Sequence, residues 1–291
     1  MKRRSKISSF HPSAAISPLR YPGGKSWLIP TVERWLNYLE TTKRNTFVEP
    51  FAGGANVGIT MLERGKVGNL VLGEIDPEVS SLWKLILGDP DWLIAEIALF
   101  KPSKKNLIAR LERKYRLNDF RERGFQTLLR NRTTRGGVLS STGGFLKRGE
   151  RNNGVFSRWY PITLISRIVR IKRLRDNIRF VQGDGIKLIN NRRHRTSDVF
   201  LIDPPYSFSQ DSAGRRLYAH YELEHTKLFT LSRALCGNFL MTYDRDKSIF
   251  DLARNKRLKI ELVAMKNSHN AILKEALIST DLSWLNQRGK Q

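Results

Sequence analysis

An α/β sheet domain interrupted by one strongly basic insert is the fold class this sequence predicts. Three observations carry it. Short apolar runs ending in glycine or acidic turns alternate with stretches of helical periodicity. The alternation lapses between about Gly88 and Pro161 and then resumes. The 291-residue chain is 40% hydrophobic, enough for a sizeable core and too apolar for a disordered chain.

Met1–Ser17, with Lys2, Arg3, Arg4 and Lys6, predicts a loose basic arm. It lacks the apolar stretch of a signal peptide. Trp27–Leu39 reads as a helix, with Leu28, Val32, Trp35, Leu36 and Leu39 on one face. Phe47–Glu49 is a strand entering a glycine turn, and Asn56–Arg64 a helix. Leu70–Leu72 is a second strand, followed by the helix Val79–Leu87. Basic helical stretches (Trp92–Phe100, Leu107–Tyr115) then give way to Asn131–Gly154, rich in Gly, Ser, Thr, Asn and Arg and expected as loops. A helix over Ile162–Leu174 and a strand over Ile178–Gln182 restore the alternation. The apolar strand Asp198–Ile202 runs into Asp203-Pro204-Pro205-Tyr206. The helix Leu223–Leu235 and strands over Phe239–Thr242, Ile260–Val263 and Ala276–Thr280 complete the pattern.

The net charge of +25 predicts a polyanionic partner, because basic surfaces gain affinity by releasing condensed counterions. Between Lys101 and Arg175 stand 21 basic and 4 acidic residues, so a quarter of the chain carries about two-thirds of the net charge. Sign alone does not separate DNA from RNA. The single cysteine, Cys236, permits no internal disulfide, suits a reducing cytoplasm and is expected as a small buried apolar residue. No run of 18 apolar residues predicts a membrane span. The histidines His11, His194, His220, His225 and His269 show no ligand spacing, so no metal is expected.

Three constellations carry chemistry. In Phe47-Val48-Glu49-Pro50-Phe51-Ala52-Gly53-Gly54-Ala55 a strand, glycines and a helix give the geometry of a nucleotide-type cofactor site. Glu74 lies 21 residues beyond Gly53, at the end of the next strand, where an acid can bind ribose hydroxyls. The glycine spacing is not Gly-x-Gly-x-x-Gly, which argues against a dinucleotide. In Asp203-Pro204-Pro205-Tyr206, two prolines without N–H groups fix a carboxylate, carbonyl oxygens and an aromatic ring at a strand's C-terminal end. Open α/β sheets bind ligands at that edge. In Pro18-Leu19-Arg20-Tyr21-Pro22-Gly23-Gly24-Lys25, a tight turn with a lysine precedes a helix, a geometry suited to anions.

Arg20–Lys25, then Glu49–Gly54, then a basic insert, then Asp203–Tyr206, resembles the Dam-type (D12) class of DNA adenine-N6 methyltransferases, from about Ser17 to Thr280. The resemblance implies a Rossmann-like class I methyltransferase sheet of seven strands. It makes 18–87 and 162–291 the catalytic domain and 88–161 a mainly helical and loop-rich target-recognition insert. It implies S-adenosylmethionine as donor, S-adenosylhomocysteine as product, and double-stranded DNA as partner; a cytoplasmic monomer is expected. Tyr21 and Lys25 would lie near the donor's amino-acid end and the catalytic pocket. Glu49, Phe51, Gly53 and Gly54 would shape the donor pocket, Glu74 would hold the ribose, and Asp184 the donor's adenine. Ala55 stands where many members have a third glycine.

Adenine N6 is a poor nucleophile, because its lone pair is delocalised into the ring. Asp203 and the Pro204 carbonyl would accept its hydrogens, Pro205 would keep the turn rigid, and Tyr206 would stack on an extruded base. For DNA contact the reading selects Arg130, Asn131, Arg132, Thr133 and Arg135, within Asn131–Thr142, since arginine pairs with guanine and asparagine with adenine. An RNA or cytosine-N4 target and an inactive DNA-binding protein stay open here, although Asp203 favours adenine over cytosine.

Overall fold

The computed structural model describes residues 15–20, 24–116, 119–137, 144–147, 154–205, 224–266 and 272–286. Most of the basic arm, Tyr21, Tyr206, His11, His220, His269 and residues 138–142 of the expected DNA-contacting stretch lie outside them.

The strands are β1 Thr46–Glu49, β2 Asn69–Glu74, β3 Ile178–Gln182, β4 Asp198–Ile202, β5 Asn238–Asp244, β6 Lys259–Lys266 and β7 Ile272–Ser279. They form one sheet in the order β3-β2-β1-β4-β5-β7-β6. The first five run parallel, and β7 is antiparallel to both β5 and β6. Strands buried on both faces read as continuous apolar runs, and every residue of β4 is buried. Neighbouring residues alternate between the two faces: Phe47 joins one apolar cluster, Val48 the other.

The helices are α1 Ile29–Tyr38, α2 Asn56–Glu63, α3 Pro77–Gly88, α4 Pro90–Leu99, α5 Lys104–Leu111, α6 Phe120–Thr133, α7 Pro161–Leu174, α8 Gly185–Arg192, α9 His225–Arg233 and α10 Lys247–Asn255. Their starts are chemically marked. The Asp76 carboxylate accepts the Glu78 and Val79 N–H groups, and Pro77 supplies the first-turn φ of α3. Asp184 caps α8 and Asp246 caps α10.

The expected strands all form, the later ones longer than their apolar centres suggest. Helices α6, α8 and α10 were not read. The expected loop at Asn131–Gly154 begins too early, because Asn131, Arg132 and Thr133 still belong to α6. Phe125, Leu128 and Leu129 of α6 share one apolar cluster with Leu82, Trp83 and Ile86 of α3, so the basic insert is built onto the helical layer of the sheet. Trp159 closes that cluster, edge-on to Phe100 and Phe125. Cys236 is exposed, contrary to expectation, because it sits in the turn between α9 and β5 rather than in either.

Candidate active site

The site lies along the C-terminal edge of the parallel strands, where the order reverses between β1 and β4. In open α/β sheets that switch point is the ligand crevice. The turn leaving β1 is held from below. The Ala52 N–H donates to the Gly73 carbonyl at 2.8 Å, and Trp83 Nε1 donates to the Gly53 carbonyl at 2.8 Å. The close approach explains Gly73: a Cβ there would stand 2.7 Å from the Pro50 carbonyl oxygen. Ala55, the residue in place of a third glycine, caps α2 with a left-handed backbone, φ 48° and ψ 28°.

Two buried acids stand at the ends of β1 and β2. Glu49 accepts the Gly58 N–H at 2.7 Å. Its carboxyl is pushed up to about 8, chiefly by burial; the Gly58 N–H opposes this and the Asp203 charge adds to it. Glu74 accepts the Gly53 N–H at 3.0 Å and the Asp76 N–H at 2.9 Å. It is pushed up to about 7, again chiefly by burial, against the Asp76 N–H. Glu74 therefore ties the glycine turn of β1 to the end of β2. Phe51 packs against Gly185, where a Cβ would meet its ring at 2.6 Å. The Asp184 carboxylate accepts the Ile186 N–H at 2.8 Å, beside this turn.

Asp203 ends β4. Its Oδ1 accepts the Thr242 hydroxyl at 2.7 Å and lies 3.1 Å from Lys25 Nζ. Lys25 also reaches Glu275 Oε1 at 3.1 Å. Burial alone would lower the Lys25 pKa, but the Asp203 and Glu275 carboxylates outweigh it and hold it above its usual value. Lys25 is thus a fixed cation. Pro204 is buried and Pro205 half-buried, so the turn after Asp203 is rigid. Behind Asp203, Tyr243 OH and His225 Nδ1 lie 2.8 Å apart. Burial pushes His225 down to about 4, against the pull of Asp246.

The structure thus brings Lys25, Glu49, Phe51, Gly53, Gly54, Glu74, Asp184, Asp203, Pro204 and Pro205 to one edge. Thr242 and Glu275 belong there too and were missed. A threonine in a β-strand and one glutamate in an apolar run carry no signal until β5 and β7 are paired.

The DNA-contact selection needs correction. Asn131, Arg132 and Thr133 are buried. Asn131 accepts the Arg20 N–H at 2.8 Å and donates to the Arg20 carbonyl at 2.8 Å and the Gly137 carbonyl at 3.1 Å. Arg132 donates to the Pro18 carbonyl, and the Thr133 hydroxyl to the Leu129 carbonyl at 2.7 Å. Half-buried Arg130 pairs with Glu78 at 3.2 Å. Buried polar groups need partners, and here the partner is largely the chain just before Lys25. Of the five, only Arg135 is exposed. Lys147 is exposed across the Thr134–Phe145 bridge from it.

Five parallel strands continued by an antiparallel pair, with an acid as the last residue of β1 and of β2 and Asp-Pro-Pro after β4, define a methyltransferase that uses S-adenosylmethionine. The chain belongs to a particular family of these, the D12 class N6 adenine-specific DNA methyltransferases, whose model matches residues 21–269. It is 21% identical over 230 residues to the Type II methyltransferase M.MjaIII of Methanocaldococcus jannaschii, covering 74% of this chain and 77% of that one. Solved structures similar to it include the rRNA methyltransferase aviRa of Streptomyces viridochromogenes, at 13% identity and TM-score 0.38, covering 93% of this chain and 91% of that one. Another is the m1A22 tRNA methyltransferase TrmK of B. subtilis, at 9% identity and TM-score 0.37. That match covers 86% of this chain and 64% of that one. Among the described residues, no cluster of acids, histidines or cysteines is arranged to hold a metal, and no helix is long and apolar enough to cross a membrane.

Proposed function

We propose that this chain methylates adenine N6 at a specific site in duplex DNA, acting as a cytoplasmic monomer on a base swung out of the stack. The observation that carries the reading is Asp203: a carboxylate fixed at the end of β4 beside the glycine turn of β1.

The residues fit the donor by their chemistry. A glycine turn at Gly53 and Gly54 lets a ligand come close to the backbone, and the Glu49 and Glu74 carboxyls suit a cation bearing ribose hydroxyls. When bound, S-adenosylmethionine supplies a methyl carbon activated by a sulfonium, which becomes a thioether as nitrogen takes the methyl. Glu74 would hold the ribose and Asp184 the adenine, Glu49 and Phe51 would line the pocket, and Tyr21 and Lys25 would serve its amino-acid end.

Asp203 and the Pro204 carbonyl accept the two N6 hydrogens. This draws electron density onto nitrogen and stabilises the positive charge that grows there. The methylated nitrogen then sheds one proton, to Asp203 or to water. Correct placement of N6 can itself lower the barrier by about 7–11 kcal/mol. Extraction of the base is required because a paired, stacked N6 is out of reach, and Tyr206 stacks on the extruded ring. Arg135 and the rest of the exposed basic insert hold the phosphates.

Asp203→Ala should abolish methyl transfer to duplex DNA while DNA affinity stays within about threefold. Unchanged turnover would refute the assignment.

A further inference from the structure

Asp203 receives more support than a fold needs. Its Oδ1 is shared by the Thr242 hydroxyl at 2.7 Å and Lys25 Nζ at 3.1 Å, and Lys25 in turn lies 3.1 Å from Glu275. Thr242 is on β5 and Glu275 on β7, adjacent antiparallel strands in which Thr242 faces Leu277 and Asp244 faces Glu275. Thr242 is 0% exposed, Glu275 3% and Lys25 8%. The backbone ladder already joins β5 to β7. Burying Glu275 and Lys25 and partly burying Asp203 beside strands otherwise rich in Leu, Met and Ile costs desolvation that apolar residues would avoid. A structural ion pair would also need only one carboxylate.

We propose that Thr242 and Glu275 are positioning residues for the methyl-transfer step, acting on substrate only through Asp203. Thr242 fixes the plane of the Asp203 carboxylate by holding Oδ1, which sets where its remaining lone pairs point. Glu275 divides the charge of Lys25. A buried lysine paired with Asp203 alone would cancel the negative charge that N6 requires. With a second carboxylate at the same distance, the three groups sum to one negative charge, and Asp203 keeps part of it. Lys25 then orients Asp203 without neutralising it. This inference rests on the reading of Asp203 given above.

The test uses the full chain with Thr242→Val, Thr242→Ser and Glu275→Gln, and Asp203→Asn as control. Single-turnover transfer of a tritiated methyl to duplex DNA gives the rate of the chemical step. Calorimetry gives donor affinity, and a fluorescent duplex gives DNA affinity. Thr242→Val, which keeps the shape and loses the hydroxyl, should slow transfer at least tenfold. Thr242→Ser, which keeps the hydroxyl, should retain most of the rate. Glu275→Gln should also lose at least tenfold, with donor and DNA dissociation constants within about threefold of wild type in every case. Equal losses in the Val and Ser variants, or affinities falling in step with rate, mean a structural role and overturn the proposal. Wild-type rates in Thr242→Val and Glu275→Gln with an inactive Asp203→Asn overturn it while leaving the Asp203 reading intact. A fully active Asp203→Asn sinks that reading itself. Should Glu275→Gln fail to fold, the threonine pair decides.

Discussion

Glu49 is 5% exposed and its carboxyl is raised to about 8 from an ordinary 4.5. That displacement makes a stability prediction with a definite sign. Below pH 4.5 the group is protonated in both the folded and the unfolded chain and costs nothing. Between 4.5 and about 8 the unfolded chain gives up the proton and the folded chain keeps it, so folding weakens tenfold for each pH unit. Over the whole window that amounts to about 5 kcal/mol, an upper figure because structure relaxes around a buried charge. Glu49→Gln removes the titration and keeps an oxygen for the Gly58 N–H. Denaturant unfolding without donor should therefore show the variant close to wild type at pH 4.5 and more stable by several kcal/mol at pH 8.5. Donor affinity should fall in the same variant, since the buried acid is retained for the ligand rather than for the fold. Parallel stability curves for the two proteins from pH 4.5 to 8.5 would refute the reasoning.

Asn131→Ala strands the Arg20 N–H and two carbonyls, and should cost about 3 kcal/mol in unfolding experiments. Its preference between matched and altered DNA sites should not change, and a relaxed preference with full stability would restore Asn131 as a base reader. Ala55→Gly relieves a left-handed backbone at φ 48° but deletes a buried methyl worth about 0.8 kcal/mol, so the two should nearly cancel and Tm should move by no more than a few degrees. DNA affinity should fall steeply with salt, as expected for phosphate contacts by the basic insert, and a flat profile would contradict that role.

What the sequence made legible was what a single strand or turn can encode. The apolar run Val199–Ile202 ending in Asp203-Pro204-Pro205 announces both a buried strand and a reactive edge. Gly53, Gly54 and Glu74 announce the turn and the acid that the fold joins by one hydrogen bond at 3.0 Å. What stayed hidden depends on partners distant in the chain. Asn131–Thr134 carries the polar composition of a surface loop, yet those side chains are buried: Asn131 and Arg132 meet Arg20 and Pro18, more than a hundred residues away, and Thr133 and Thr134 bond to the Leu129 and Arg130 carbonyls. Composition reports polarity, and only the tertiary structure says whether water or a backbone carbonyl satisfies it. Helix α8 was missed because it starts directly at Gly185, within the turn residues that end β3. The role of Glu275 required knowing that β7 runs antiparallel beside β5.

The placement of charge resolves a conflict built into the reaction. The enzyme must attract a polyanion and a sulfonium cation to one crevice. A uniformly basic surface would repel the donor, and an acidic one would repel phosphate. Here the surplus of positive charge lies outside the sheet edge, with 21 of the 52 lysines and arginines between Lys101 and Arg175. Among the described residues, the edge itself carries Asp203 and Glu275 beside the buried cation Lys25, and adds Glu49 and Glu74, whose burial keeps their protons up to about pH 8 and 7 until a cation draws them off. Glu49, Glu74 and Glu275 are buried and Asp203 is partly so, which keeps them from phosphate and lets low dielectric strengthen whichever are ionised toward a cation at close range. Asn131 and Arg132 join the two territories, because the helix that supports the basic insert also holds the chain that delivers Lys25 to Asp203. On the function proposed above, the insert that takes DNA and the acid that prepares N6 are thereby tied together through Pro18, Arg20 and Lys25.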